Sequence, residues 1–239
     1  MNSENKVENP DSGDLASIFS FRAQVYSIIR HLFLFEPSRE YLQSLLQNEV
    51  LKAIGEAYPE EYLRTSSQEF LKAVREVLEG GDDMLLDTWA EYARLFIGPS
   101  PPIAVPYESF QRDAYGDRRF KGDTWMEVKE WLLDDGYVLE DKRVLEDHAG
   151  IEFEYMQLTS MKASELARKE DRDTLFNVLM RQKKFLEEHL TKWIPELCSE
   201  IEEKTKSSFY RSLAKFTKAF LKEDLNLLDE ALTCLSEGK

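Results

Sequence analysis

The densest group of side chains that could perform chemistry is Glu146-Asp147-His148, followed one helical turn later by Glu152. Asp147 directly precedes a helical pattern, where an aspartate most economically caps the helix by accepting backbone N–H bonds. His148 and Glu152 are four residues apart and can pair on one helix face. Spacing alone leaves two interpretations open. One is a capped helix with an ordinary surface pair, and the other is a groove whose carboxylates and imidazole form charge-assisted bonds to a guanidinium.

The motifs of the common catalytic devices are absent from the sequence. Neither of the glycine-rich phosphate-binding loops is present, and the Gly-x-Ser-x-Gly nucleophile motif is missing. A carboxylate-bridged metal pair in a helical bundle would need Glu-x-x-His, but Ile28, Leu145 and Leu186 stand three residues before the histidines. We therefore predict no catalytic residue, no metal ligand and no cofactor. An enzyme that uses Asp147 and His148 as an acid–base pair is the weaker alternative.

The second candidate for a functional region is the proline-rich segment at 89–109, which could form one wall of a binding site. It starts as an amphipathic helix whose inward face carries Trp89, Tyr92 and Phe96. Gly98 offers a left-handed residue at the helix end, and Pro99 cannot continue the helix. Four of the eight prolines lie between 99 and 106, so the connector is stiff and extended. A loop packed on the core explains the pattern, but because function often resides on loops this segment is also the leading candidate for a site wall.

Composition and charge limit the class of protein. The 239 residues are 42% hydrophobic and 12% aromatic, which is typical of a globular chain. The net charge of −15 argues against a nucleic-acid binder and favours basic partners. No apolar run approaches the roughly 20 residues that cross a bilayer, so we predict no stable membrane insertion. Cys198 and Cys234 have neither disulfide-framework nor metal-ligand spacing, which together with a polar N-terminus predicts a cytoplasmic protein.

Helical periodicity covers almost the whole chain from Leu15, and no segment alternates for long enough to predict a strand. We expect an all-α fold, a single globular helical bundle of about ten helices over 15–235. Helices are predicted at about 15–36, 38–46, 60–78, 82–97, 124–135, 147–158, 173–194, 197–204 and 208–221, with a further turn or two at 225–235. Residues 111–122 suit a surface crossing, and a candidate hinge lies near 98–122. Residues 1–14 are predicted to form a disordered tail, and 236–239 a C-terminal tail.

Two signatures carry a resemblance to a known family. The run Tyr92-Ala-Arg-Leu-Phe-Ile-Gly-Pro, followed by Pro106-Tyr107-Glu108-Ser109, resembles the central signature of the TorD/DmsD family. Members of that family are cytoplasmic chaperones of molybdenum-containing oxidoreductases, also called redox enzyme maturation proteins. Asp147-His148, followed by Glu152-Phe-Glu-Tyr-Met, resembles the second signature. Weaker matches, around Arg22 and from Phe185 to Ala214, extend the resemblance over most of the chain between 21 and 221.

The resemblance implies a TorD/DmsD-like bundle and a binding site for a twin-arginine signal peptide. In the family an Asp-His pair is associated with binding that leader. Asp147 and His148 occupy the matching positions in this chain, so the resemblance implies the same role for them. The implied site also includes Glu146, Glu152, Trp89, Tyr92, Phe96, Gly98, Pro99, Pro106, Tyr107, Glu108 and Ser109. The chain departs from the family pattern in two places, which affects the identity of the client. Glu146 replaces a proline often found ahead of the Asp-His pair, and Gly150 stands early in a helix.

The function implied by the resemblance needs no bond breaking. A non-catalytic chaperone would bind the twin-arginine leader and the immature body of a molybdopterin oxidoreductase, assist cofactor insertion and delay export. Acidic residues would meet the arginines, and apolar side chains near the proline loop would take the leader's hydrophobic segment. The protein would be a monomer or a domain-swapped dimer. A nitrate-reductase-type assembly chaperone of a client that is not exported and a plain helical adaptor remain alternatives.

Overall fold

The computed structural model describes residues 12–98, 102–112 and 120–237, and these form helices joined by short connections. The helices are α1 Ser12–Leu34, α2 Arg39–Gln47, α3 Glu49–Ala57, α4 Glu61–Glu79, α5 Gly81–Tyr92, α6 Glu108–Arg112, α7 Asp123–Asp134, α8 Ala149–Arg168, α9 Arg172–Phe185, α10 Thr191–Lys204 and α11 Ser208–Glu237. Two π-helical turns, π1 Ala93–Ile97 and π2 Leu186–Leu190, continue α5 and join α9 to α10. The described residues thus form ten continuous helical segments and no strand, which confirms the all-α prediction.

The longest packing interface joins α1 to α8. Gly150, at the start of α8, allows the two helices to approach closely where α1 ends. A Cβ atom on Gly150 would lie only 2.3 Å from Leu34 Cγ. The glycine that departs from the family pattern therefore has a packing role in this chain.

A buried polar cluster ties α1 to α9 and α11. Arg22 is fully buried and donates from Nε and Nη2 to the Asp224 carboxylate at 2.5 and 2.9 Å. Its Nη1 donates to Gln182 Oε1 at 2.5 Å, and the Tyr26 hydroxyl donates to Asp224 at 2.6 Å. Removing one partner of such a pair leaves a buried charge without compensation, which typically costs about 3–5 kcal/mol. The resemblance to the family around Arg22 therefore reflects a structural role, which is to hold α1 against α9 and α11.

Several helix boundaries differ from the predicted ones. The sequence pattern missed α3, a short helix capped by the Asn48 side chain, which accepts from Leu51 N at 2.9 Å. Pro195 was expected to end a helix but lies inside α10, in the second turn after π2. α11 is continuous through 222–224, since Asp224 points inward to Arg22. The predicted tails 1–14 and 236–239 overlap the ends of α1 and α11.

Among the described residues, none of the helices combines the length and the apolar character needed to cross a bilayer.

Candidate functional site

The segment after π1 returns the chain to the start of α8. Gly98 has φ of 105°, which confirms the predicted positive φ at this helix end, and its N–H donates to Ala93 O at 2.8 Å. Ala104 N donates to Leu95 O at 2.9 Å, so the loop folds back on π1. Pro106 O then accepts from Ala149 N at 2.9 Å. Pro99 lies outside the described residues.

Asp147 caps the short helix α6 and not the helix that follows it in sequence. Its Oδ2 accepts from Ser109 N at 2.9 Å, and its backbone carbonyl accepts from Glu108 N at 2.9 Å. The N-cap of α8 is His148, whose Nδ1 accepts from Gly150 N at 3.0 Å. The interpretation of Asp147 as the cap of α8 is therefore wrong by one residue. The two segments also form an isolated antiparallel bridge between Tyr107 and His148.

His148 is buried and uncharged. Only 7% of the residue is exposed, and its ring packs edge-on against Tyr107 with centroids 4.8 Å apart. Burial lowers the pKa of His148 to about 3. The predicted pairing with Glu152 does not form, because Glu152 accepts instead from Trp193 Nε1 at 3.1 Å. His148 acts in this structure as a cap and a packing group.

Three carboxyl groups, Glu108, Asp147 and Glu152, form a buried acid cluster, and each residue is 0% exposed. Burial is the main cause that raises the pKa of both Asp147 and Glu152, and the neighbouring charge of Glu108 adds to it. The pKa of Glu152 is raised well above its ordinary value, so Glu152 is the protonated member of the cluster. His189 Nδ1 lies 2.9 Å from Oε2 of the Glu108 carboxyl group.

Arg112 closes this cluster on the solvent side. Its Nη1 donates to the Glu108 carboxylate and, at 2.9 Å, to the carbonyl of Glu188. The sequence analysis did not select Arg112, His189 or Trp193. The sequence feature that could have identified His189 and Trp193 is their four-residue spacing, which places both polar side chains on one side of the helix that carries π2. π-Helical turns occur often at functional sites.

Three buried oxygens at the acid cluster, Asp147 Oδ1, Glu152 Oε1 and Ser109 Oγ, have no hydrogen-bond partner among the described residues. A buried polar atom without a partner typically costs about 1–3 kcal/mol. The Ser109 hydroxyl can donate to one acceptor only, so the two carboxyl oxygens can still accept a hydrogen bond from a further donor.

The remaining predicted residues lie around this centre. Glu146 faces outward and accepts from Trp125 Nε1 at 2.7 Å. Trp89 donates to Pro37 O at 2.8 Å, Tyr92 donates to Phe33 O at 3.3 Å, and Phe96 packs against Tyr92 with centroids 5.2 Å apart. The structure thus brings Pro106, Tyr107, Glu108 and Ser109 together with Asp147, His148 and Glu152. It places Trp89, Tyr92 and Phe96 in the packing between α5, π1 and the end of α1.

An apolar groove of about 660 Å³ lies on the other side of α8, between the end of α1 and the connection 137–144. Its apolar walls include Leu34, Phe35, Leu132, Val138, Leu139 and Ile151, and it is also lined by the charged residues Arg30, Glu140, Asp141, Arg143 and Glu154. Phe35 is 49% exposed and Val138 is 69% exposed. The sequence analysis expected the apolar surface near the proline loop and did not identify this groove, which requires the α1–α8 packing. Within the described ranges, no group of His, Cys, Asp or Glu side chains is arranged to hold a metal ion.

Comparison with known proteins defines the class of protein. A family model described as nitrate reductase delta subunit matches residues 60–199, which is more than half of the chain. The chain therefore belongs to this family. The matched region includes the whole buried acid cluster.

The individual relatives carry a more particular name. The chain is 24% identical over 211 residues to the chaperone protein TorD of Vibrio cholerae serotype O1 (strain ATCC 39315), covering 87% of this chain and 92% of the relative. It is 24% identical over 205 residues to the chaperone protein TorD of Vibrio parahaemolyticus, with coverages of 85% and 92%. For the Aliivibrio fischeri TorD the identity is 23% over 220 residues, with coverages of 90% and 98%. The predicted membership of the TorD-like family is confirmed.

Proposed function

We propose that the protein is a non-catalytic cytoplasmic chaperone of a molybdopterin oxidoreductase. It binds the client's twin-arginine signal peptide and immature form, assists cofactor insertion and delays export until the cofactor is in place. The family and the TorD relatives support the general part of this proposal, a chaperone for molybdoenzyme maturation. The binding of a leader is supported by the apolar groove and by the surplus of acceptors at the acid cluster.

The observation that carries the proposal is the apolar groove. Exposed apolar surface that is grouped in one concave region is typical of an interaction site. A secretory leader has an apolar segment of roughly 7–15 residues behind a basic start. The groove provides apolar walls for such a segment, and the net charge of −15 attracts the basic start.

The groove is tested with Val138→Glu, which places a charge on its exposed wall. We expect a fluorescently labelled leader peptide to bind at least about tenfold more weakly, because its apolar segment would bury that carboxylate. Leu86→Glu is the matched control, since Leu86 is 56% exposed on α5, away from the groove. Both variants should melt close to the wild type. Equal affinities of the wild type and Val138→Glu would remove the groove from the binding mechanism.

A nitrate-reductase-type assembly chaperone, whose client remains in the cytoplasm, is the second candidate. The description of the matching family as nitrate reductase delta subunit favours it. A leader in which both arginines are replaced by lysine distinguishes the two candidates, because lysine keeps the charge but loses the planar fork. We expect clearly weaker binding of the lysine peptide to a twin-arginine chaperone. Equal affinities would favour the client that is not exported.

An acid–base enzyme is the alternative that the geometry supports least. The Nδ1 atom of His148 already accepts from Gly150 N, and its low pKa keeps the ring neutral. Among the described residues, the Asp147 side chain bonds to Ser109 N and not to His148. The two residues therefore do not form the coupled pair that general acid–base catalysis requires.

A further inference from the structure

A small acidic pocket of about 490 Å³ opens between α6, α7 and π2, on the solvent side of the acid cluster. Four carboxylates line it, Glu127, Glu130, Asp134 and Glu188, against two cations, Arg112 and Lys192. His189 lies at its inner end and reaches the buried Glu108 carboxylate. The pocket thus leads from solvent to a buried negative charge.

Arg112 occupies the passage between this pocket and the acid cluster. The side chain of Glu108 is fully buried, whereas that of Arg112 is 31% exposed. Towards the described residues, the guanidinium donates two hydrogen bonds from Nη1, one to Glu108 and one to the carbonyl of Glu188. The Glu108 carboxylate and the Glu188 carbonyl therefore form a pair of acceptors that suits a planar guanidinium.

The acceptors behind Glu108 exceed what Arg112 supplies. Asp147 Oδ1 and Glu152 Oε1 are buried without partners among the described residues, and the Ser109 hydroxyl can donate to only one acceptor. A guanidinium has five N–H donors, and an incoming one that reaches further than the side chain of Arg112 could use these oxygens. An ammonium group presents a compact charge and matches this planar arrangement less well.

We propose that the acidic pocket is a guanidinium-binding subsite in which Arg112 serves as an internal ligand, which an arginine of the client's leader displaces from Glu108. This inference rests on the proposed function for the identity of the peptide. Displacement exchanges one charge-assisted contact for another, so Arg112 lowers the affinity for every ligand that cannot replace its bonds. The arginine then first meets Glu108 and the Glu188 carbonyl, with Asp147 Oδ1 behind them, while Asp147 Oδ2 positions α6.

Chemical rescue of Arg112→Ala tests the subsite without a leader. The variant should melt below the wild type, because Glu108 loses its solvent-side partner. Low-millimolar ethylguanidinium should restore much of the lost melting temperature, and ethylammonium at the same concentration should not. Arg39→Ala is the matched control. Arg39 pairs with the exposed Asp82 at 2.7 Å, with 32% of its side chain exposed, and its loss should show no rescue.

The second measurement is the affinity of the twin-arginine leader peptide. Arg112→Ala should bind it about tenfold more tightly than the wild type, since no internal ligand has to leave. Arg112→Gln, which keeps an amide donor, serves if the alanine variant does not fold. Failure of ethylguanidinium to rescue, or a leader affinity that is unchanged or weaker in the variant, would overturn the subsite. Rescue without leader binding to any of the proteins would leave the subsite standing and refute the proposed function.

Discussion

The buried, uncharged state of His148 predicts how one residue changes the stability of the protein with pH. Its pKa is about 3 in the folded protein and 6.5 in its ordinary state. Because the pKa of His148 is lower in the folded protein, the unfolded chain binds the proton at a higher pH. The contribution of His148 to stability is therefore complete above pH 6.5 and decreases as the pH falls towards 3. The decrease is about 1.4 kcal/mol per pH unit within that window.

His148→Asn isolates this contribution. Asparagine keeps a side-chain oxygen that can accept from Gly150 N, so the cap of α8 is retained while the titrating group is removed. Between pH 7 and pH 5 the wild type should lose about 2 kcal/mol relative to the variant. The comparison has to be made against the variant, because the raised pKa of Glu152 acts with the opposite sign. Glu152 takes up its proton more readily in the folded state, so its contribution improves as the pH falls.

Urea unfolding followed by circular dichroism at pH 7, 6 and 5 measures the difference. The quantity to plot is the free energy of unfolding of the wild type minus that of His148→Asn. We expect this difference to fall steadily as the pH decreases. A difference independent of pH would mean that His148 titrates alike in both states. The ring packed on Tyr107 would then take up a proton as readily in the folded protein as in the unfolded chain. That result would refute the inference that burial lowers the pKa of His148.

Two glycines give further predictions. Gly98→Val should lower the free energy of unfolding by about 1–3 kcal/mol and weaken leader binding, since φ of 105° with ψ of 169° is strained for any residue with a side chain. Unchanged stability and affinity would show that Gly98 has neither role. Gly150→Ala should destabilise by about 1–3 kcal/mol despite the better helix propensity, because its Cβ would overlap Leu34. Adding Leu34→Ala should remove that penalty in a double-mutant cycle, and strict additivity would contradict the proposed overlap.

The fold was predictable because its long helices are strongly periodic. The helices α1, α4 and α11 each present apolar positions at helical spacing over many turns, and the structure buries most of them. The prediction for α8 ended at 158 although the helix runs to Arg168, because its second half buries small and polar residues such as Ser160 and Ala163. The pattern failed where a tertiary contact overrides a local signal. Asp224 interrupts the apolar periodicity of α11 and looks like a break, yet it is the buried partner of Arg22. Nothing local to residues 222–224 indicates a residue some 200 positions away.

Part of the candidate site was also predictable from the sequence. Clustering along the chain selected Asp147 and His148, and the family resemblance selected Glu108 and Ser109. The contacts that define their chemistry come from elsewhere: Arg112 from the far end of α6, and His189 from π2. A histidine inside a helical pattern gives no sign that it will face a glutamate 81 positions earlier. The apolar groove was missed because its walls come from α1, α7 and α8 and none of them contains a long apolar run.

The burial of Asp147 changes what a substitution there can mean. A carboxylate that met the leader directly would have to be accessible, yet Asp147 is 0% exposed, and its Oδ2 holds Ser109 N at the start of α6. The same helix carries Glu108 and Arg112 at its two ends. Loss of the Asp147 charge would therefore act on binding by shifting α6, which moves Glu108 and Arg112 together. Under the proposed displacement, recognition of a guanidinium begins instead at Glu108, which is equally buried but whose partner Arg112 lies on the solvent side and can be exchanged.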